Sequence, residues 1–505
     1  MSWAWFVGWA VVVISEMILV LFNNYVTLFK LGILSAAFLL SIWLIAYMFK
    51  DEKALNKNDG YRKYFGQLTS LFLFCALVIG FLASFNYVVY TPDSFQYRGL
   101  AQMLHKYGYY DKHDQVWILF KWLFDTRLPF YVSVHNVAFL TGVDVFYSFM
   151  STTTFFIIMG IYGFWKKESQ SLSSKLLFLI PLAVLVSNPV LMFHSFYSHN
   201  YLITMAYYTF GVISIFQYIK YRDTFWFVSG CLFLGCTGIL RKEMLLISIF
   251  PFIYLKWKSK LPKSGILLVG FGLYFIFSYL WPLCGLWELQ ESAKYFGESF
   301  SRGDRGGMMV WILCLTLSII TFFLPCKIKR DKRSYIIIGC SFVLAFGFLY
   351  YLFGQSLISA ASKLYLLMFK GVGRWGSFWY IMILGFLTAF LLKGFSMILT
   401  KHHTEQIADF WIDKKQMEGL EFLIYVIFSF FLVRLVLYTV FTAPKADTFL
   451  NSGNRILLCI YPVSVYFLGK LSVMLYNGSV SIQSADKKLF SENNESAANK
   501  STEKS

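Results

Sequence analysis

Asp93 follows a long apolar run, 67–90, and begins the stretch Asp93-Ser-Phe-Gln96. A carboxylate at the mouth of a membrane span has the chemistry of a general base towards a hydroxyl group. The same residue is a good helix N-cap, and Gln96 three positions on would complete a capping box. Both readings stand on the residues alone. Asp125, in Asp125-Thr-Arg127, is a second carboxylate in the same stretch, with Asp111 and Asp114 between the two. Four arginines fall in or beside apolar runs. They are Arg241 within Gly238–Met244, Arg374 within Gly371–Gly376, Arg434 inside 420–441, and Arg455 at the head of 456–473. Guanidinium forks match phosphate oxygens, and an arginine within a membrane span implies a function or a partner. The alternatives are interfacial snorkelling for Arg374 and Arg455 and a buried ion pair for Arg434. For Glu16 and Glu243 the alternative is pairing inside the bundle.

Five of the seven histidines, at 105, 113, 135, 194 and 199, share one stretch of sidedness with Asp93. Asp111-Lys-His-Asp114 and His194–His199 contain ligand types for a divalent metal, at spacings that specify none. The eight cysteines form no CxxC pair and sit almost entirely in apolar runs, as small packing residues.

The elements that hold these groups are apolar. Hydrophobic residues make up 58% of 505 and charged residues 14%, which excludes a soluble enzyme, a disordered chain and a secreted disulfide scaffold. The runs predict an all-α polytopic membrane protein with about 13–14 transmembrane helices. These are 3–22, 31–49, 67–90, 145–165, 172–193, 200–219, 224–240, 243–255, 264–284, 308–326, 335–353, 375–392, 420–441 and 456–473. The short pair 224–240 and 243–255 reads as broken at Arg241-Lys242. With the amino terminus cytoplasmic, the inner loops carry 23 Lys and Arg in 70 residues, the outer segments 16 in 128. That asymmetry orients both termini to the cytoplasm. It also accounts for the net charge of +18 without nucleic acid. Residues 1–475 read as one integral-membrane domain and 476–505 as a disordered cytoplasmic tail. The first apolar run has neither the charged leader nor the cleavage site of a removable signal peptide.

The longest non-spanning stretch, 91–144, falls outside. Tyr97, Leu100, Ala101 and Leu104 repeat at helical spacing, so an amphipathic helix is expected at the membrane surface.

Taken together these features resemble the GT-C superfamily of integral-membrane glycosyltransferases, which includes protein O-mannosyltransferases and lipid A aminoarabinose transferases. Pro92–Ala101 is similar to the family's first outer-loop signature. Arg127-Leu-Pro-Phe-Tyr131 with Gly142-Val-Asp144 is similar to the stretch leading into the next span. Gly230–Glu243 resembles a glycine-rich helix followed by Arg-x-Glu, and Asn454–Pro462 a late Arg-then-Pro span. One departure is the turn His194–Asn200, where relatives often carry an acid and this chain has none. The resemblance implies sugar transfer from a polyprenyl phosphate to a hydroxyl acceptor, a glycan or glycolipid. Transfer would occur at the outer face of the cell inner membrane, with inversion. It implies Asp93 as base, with Asp125 as second choice. Arg241, Arg374, Arg434 and Arg455 would hold the leaving phosphate, Glu243 would orient Arg241, and Tyr97, Arg127 and His199 would support the site. It requires no organic cofactor and leaves a divalent metal open. Two other readings remain. A polysaccharide polymerase usually carries its large outer loop later in the chain. A lipid-linked sugar transporter or flippase would call for repeated halves, which the sequence lacks.

Overall fold

The computed structural model describes residues 2–21, 27–48, 98–99, 101–102, 105–106, 129–142, 146–168, 179–196, 200–280, 302–323, 332–401, 414–441 and 455–476. Among them there are only helices and their connections. In chain order they are α1 (Ser2–Leu21), α2 (Leu28–Met48), α3 (Pro129–Thr141), α4 (Phe146–Glu168), α5 (Leu179–Ser187), α6 (Pro189–Phe196), α7 (Tyr201–Tyr221) and α8 (Thr224–Leu240). There follow α9 (Lys242–Trp257), α10 (Ser264–Phe275) with a π-turn at Ile276–Leu280, α11 (Arg302–Phe323), α12 (Lys332–Phe369), α13 (Phe378–Lys401), α14 (Lys414–Phe441) and α15 (Arg455–Tyr476). The stretches Ser2–Leu19, Tyr201–Tyr221, Gln416–Leu437 and Arg455–Tyr476 are long and apolar enough to cross a membrane. Several shorter helices are equally apolar.

α7 is the centre. Every residue from Tyr201 to Ile219 is buried. A helix without a polar face must be enclosed by other helices, and α4, α8, α9 and α14 pack around this one. α7 and α8 form a hairpin. Arg222 closes α7 in the left-handed region (φ 58), its amide donating to the Tyr218 carbonyl at 2.9 Å. Asp223 then caps α8 by accepting from the Phe225 amide at 3.0 Å. The two helices approach closely because glycines face side chains across the seam. A Cβ on Gly211 would lie 2.6 Å from Leu234 Cγ, and one on Gly230 would lie 2.5 Å from Ile215 Cδ1.

Within the described residues the expected runs coincide with helices, with three differences, and four of those helices are long and apolar enough to cross a membrane. The run 172–193 is two helices, because Pro189 lacks an amide and Asn188 caps the second. Asn188 Oδ1 accepts from the amides of Val190 and Leu191 at 2.9 and 3.2 Å. The run 335–353 is the middle of a continuous 38-residue helix, α12, longer than a span needs. The run 264–284 passes from α-helix into a π-turn at Ile276. The run 67–90 and the tail 476–505 lie outside the described residues, apart from Tyr476, which ends α15.

The amphipathic outer-loop helix is partly visible. Those of residues 98–106 that the structure describes are helical, with Ala101 buried and Arg98, Gln102, His105 and Lys106 exposed. The segment lies along α3, the His105 ring stacking on Phe139 at 5.7 Å. α3 in turn packs on α1, and Gly142 (φ +67) ends it in a conformation that suits glycine.

The surface is apolar as well. Tyr380, Ile383, Leu384, Leu387, Phe390 and Leu391 form an exposed stripe on α13. Ile312, Leu313, Ile319 and Ile320 do the same on α11. Soluble monomers rarely expose contiguous apolar patches of this kind.

Two predictions follow from this packing. A Cβ on Gly235 of α8 would meet the Tyr274 carbonyl oxygen at 3.1 Å and its Cα at 3.2 Å, backbone that has no room to yield. Gly235→Val should lower stability by about 1–3 kcal/mol. Gly272→Ala, with nothing within 4 Å, should not. Thermal unfolding in detergent distinguishes the two. His135 of α3 is buried, and burial together with the Arg98 charge pushes its pKa from 6.5 down to about 4. The unfolded chain therefore takes up this proton first, so stability should fall as pH drops from 6.5 towards 4. His135→Asn should flatten that part of the pH profile. An unchanged profile would mean another group controls it.

Candidate functional site

The amino-terminal end of α7 meets the carboxyl-terminal end of α8. Asn200 begins α7 and is fully buried, yet its side chain does not cap its own helix. Its Nδ2 donates instead to the carbonyl of Leu240, the last residue of α8, at 2.9 Å. The late carbonyls of a helix lack intrahelical donors, so this bond satisfies one of them and fastens the two helix ends together.

The next residue is Arg241, the one-residue break between α8 and α9. Its backbone is extended (φ −154, ψ 122). Its amide donates to the Thr237 carbonyl, and its own carbonyl accepts from the Met244 amide, each at 3.0 Å. One residue thus closes one helix and opens the next without glycine or proline. Its side chain is buried, with the guanidinium carbon 3.9 Å from the centre of the Tyr201 ring. Arg455, the first residue of α15, brings its guanidinium carbon within 6.0 Å of the same ring. A tyrosine face attracts cations through its quadrupole, so Tyr201 is a platform shared by two arginines. The buried His194 of α6 lies beside it, ring centres 6.3 Å apart.

Arg434 reaches the same end of the bundle by register. α14 runs antiparallel to α7, with Gly419 against Phe216 and the Phe430 ring 5.9 Å from Tyr208. Arg434 is one helical turn beyond Phe430, about 6 Å further towards the Tyr201 end. It too is buried.

Arg374 takes an exposed position, as the interfacial-anchor reading of its sequence expects. It sits in the turn between α12 and α13 with φ 57, and it is exposed. The inward residue of that turn is Trp375, whose ring lies 5.3 Å from Tyr461 of α15. A turn that presents one of two successive side chains to the core buries the aromatic, because burying an unpaired guanidinium is far more costly.

Asp93, Asp125, Tyr97, Arg127 and His199 lie outside the described residues. Glu243 is helical in the first turn of α9, and its side chain lies outside them. Among the described residues, no three His, Cys, Asp or Glu side chains gather as a metal site.

The opposite end of α7 is basic. Arg222 Nη1 and the Tyr218 hydroxyl both donate to the Lys260 carbonyl, at 3.2 and 2.9 Å. Lys258 and Lys393 each pair with Glu421 at 3.0 Å, and Lys260 pairs with Glu418. α7 has 21 residues, so about 30 Å separate this end from the Tyr201 platform. That equals the thickness of a bilayer's hydrocarbon core.

Tyr201 and Asn200 carried no distinguishing signal in the sequence. One of 33 tyrosines has nothing to mark it, and Asn200 looks like an ordinary helix-capping residue. Only the break at Arg241, together with the position of Arg455, points to what they do. No protein-family model matches the chain, and no curated protein or solved structure matches it.

Proposed function

We propose that this protein is a membrane glycosyltransferase of the GT-C kind, moving a sugar from a polyprenyl phosphate to a hydroxyl acceptor outside the cell membrane. The observation that carries the reading is the convergence of Arg241 and Arg455 on Tyr201 at the buried end of α7. Two like charges converging on one ring repel each other, and a phosphate bound by both would turn that repulsion into attraction. The guanidinium forks would donate to its oxygens in pairs. Arg434, from the adjacent helix, would add a third positive charge as negative charge develops on the leaving phosphate. The exposed Arg374 would meet the headgroup on its approach.

In this reading residues 1–475 are the membrane-embedded enzyme and 476–505 a cytoplasmic tail. The basic end of α7 faces the cytoplasm, as the charge asymmetry of the loops requires. The Tyr201 end faces outward, and the loop 91–144 covers it. Asp93, from that loop, takes the proton of the acceptor hydroxyl as the oxygen attacks the anomeric carbon. The bond to the lipid phosphate breaks and the configuration inverts. Asp125 is the next carboxylate to test for this role. A covering loop would exclude water from the reaction.

The purified protein, given short-chain polyprenyl-phosphate sugars and cell-envelope glycan, should release polyprenyl phosphate. Asp93→Asn should slow release about a hundredfold or more, the usual contribution of a general base. Full activity in that variant would reduce Asp93 to a helix cap. Arg241→Lys and Arg455→Lys keep the charge but lose the fork, and should lower kcat/KM by about tenfold or more. Tyr201→Phe should preserve activity and Tyr201→Leu should not, since the ring face is what orients both guanidiniums. If the wild type consumes no polyprenyl-phosphate sugar, the transferase reading fails. Polymerisation of diphosphate-linked oligosaccharides would then be tested next.

A further inference from the structure

Away from the arginines, a buried carboxyl and a buried amide face each other between α1 and α3. Glu16 and Asn136 are both almost wholly enclosed. Asn136 Nδ2 donates to Glu16 Oε1 at 3.0 Å. The second oxygen of each group, Glu16 Oε2 and Asn136 Oδ1, is buried with no hydrogen-bond partner among the described residues. Both are acceptors when Glu16 is ionised. Two buried acceptors left unsatisfied at one contact would be strongly destabilising.

One proton resolves both. We propose that Glu16 and Asn136 form a proton-binding site that fastens α3 to α1. The proton, taken from solvent, is carried on Oε2. Oε2–H donates to Asn136 Oδ1 while Nδ2–H donates to Oε1, closing a cyclic acid–amide pair in which every polar atom of that edge is used. The groups facing the carboxyl from α3 are Asn136 and the hydroxyl of Ser133, both uncharged. His135, the neighbour of Asn136, is held neutral at ordinary pH. On α2, Ser35 donates to Ser15 at 3.2 Å, next to Glu16, and Lys30 is exposed. On α7, the Tyr207 hydroxyl donates to the Phe6 carbonyl at 2.8 Å. A neutral carboxyl suits this surrounding, since an isolated buried carboxylate is far costlier than a hydrogen-bonded acid.

The site ties the outer-loop segment that carries α3, and with it the 98–106 helix, to the amino-terminal helix of the bundle. It does not rest on the transferase reading, because it concerns one contact that exists whatever the substrate.

Infrared spectroscopy of the full-length protein in detergent at neutral pH tests it. A protonated-carboxyl C=O band should be present and should vanish in Glu16→Gln. In Asn136→Leu it should move to higher frequency, because the acid has lost its acceptor. Glu16→Gln should unfold at the wild-type temperature, its amide offering the same donor to Asn136 Oδ1. Glu16→Ala should unfold lower. Three results would overturn the proposal. One is carboxylate bands alone in the wild type, a spectrum readable even if a variant does not fold. Another is Glu16→Gln unfolding as early as Glu16→Ala. The third is a sodium-dependent stabilisation at fixed pH that Glu16→Gln abolishes, which would make the ligand a cation.

Discussion

Complete burial of α7 is the constraint on which the remaining structure depends. A helix enclosed on all sides has no water at its side-chain polar groups, so the bonds these make are made within the protein. The Tyr207 hydroxyl reaches the Phe6 carbonyl of α1 at 2.8 Å. Gln217 donates to the Tyr466 hydroxyl of α15 at 3.4 Å. Tyr218 donates to the Lys260 carbonyl beyond α9. Thr204 turns back on its own helix to the Asn200 carbonyl at 2.7 Å. These bonds fix the rotation and height of α1, α15 and the α9–α10 connection relative to one axis. The glycine contacts with α8 and α14 set how near those helices come. The arginine cluster is possible only because this framework holds two helix starts and one helix break at the same level.

The break at Arg241 shows how local and long-range forces combine. Nothing in Leu240-Arg241-Lys242 resembles a usual helix stop, as there is neither glycine nor proline. The helices end there because Asn200 occupies the Leu240 carbonyl and Tyr201 receives the guanidinium. The interruption is therefore maintained by tertiary contacts. It also gives Arg241 two roles at once. Its backbone caps two helices, and its side chain carries charge into the bundle. A substitution at Arg241 that keeps the backbone roles and changes only the fork is the informative one.

Much of the fold was legible because apolar runs of span length leave few choices. The hairpin at 220–223 and the start of α7 at Asn200 follow from residue type and spacing, and the break after Leu240 shows only as a charged pair, Arg241-Lys242, between two short apolar runs. The division of 172–193 was legible in principle from Asn188-Pro189, a cap followed by a residue that cannot continue the ladder. The length of α12 was not, because polar residues such as Gln355 and Ser356 interrupt the apolar pattern while remaining compatible with a helix. At the site, arginines in apolar surroundings announce themselves by cost. Their partners do not. Tyr201, Asn200 and His194 are ordinary residues in this composition, and only their position in space gives them a role. Arg374 shows what a turn decides and a sequence pattern does not. Its sequence setting is like that of Arg455, yet a single turn of backbone exchanges it with Trp375 for the inward place.

The two ends of α7 divide the electrostatics of the molecule. At the Lys260 end, Lys258 and Lys393 pair with Glu421, and Lys260 pairs with Glu418. Such pairs, partly exposed, add little stability, and their consequence is orientation. At the Tyr201 end, two guanidiniums meet one aromatic ring, which attracts each through its quadrupole. A ring quadrupole supplies about 0.5–2 kcal/mol per cation, less than the hydration a guanidinium loses on burial. The two ends lie about 30 Å apart, the thickness of a bilayer's hydrocarbon core, so the buried helix that organises the packing also sets the distance between the two groups of cations.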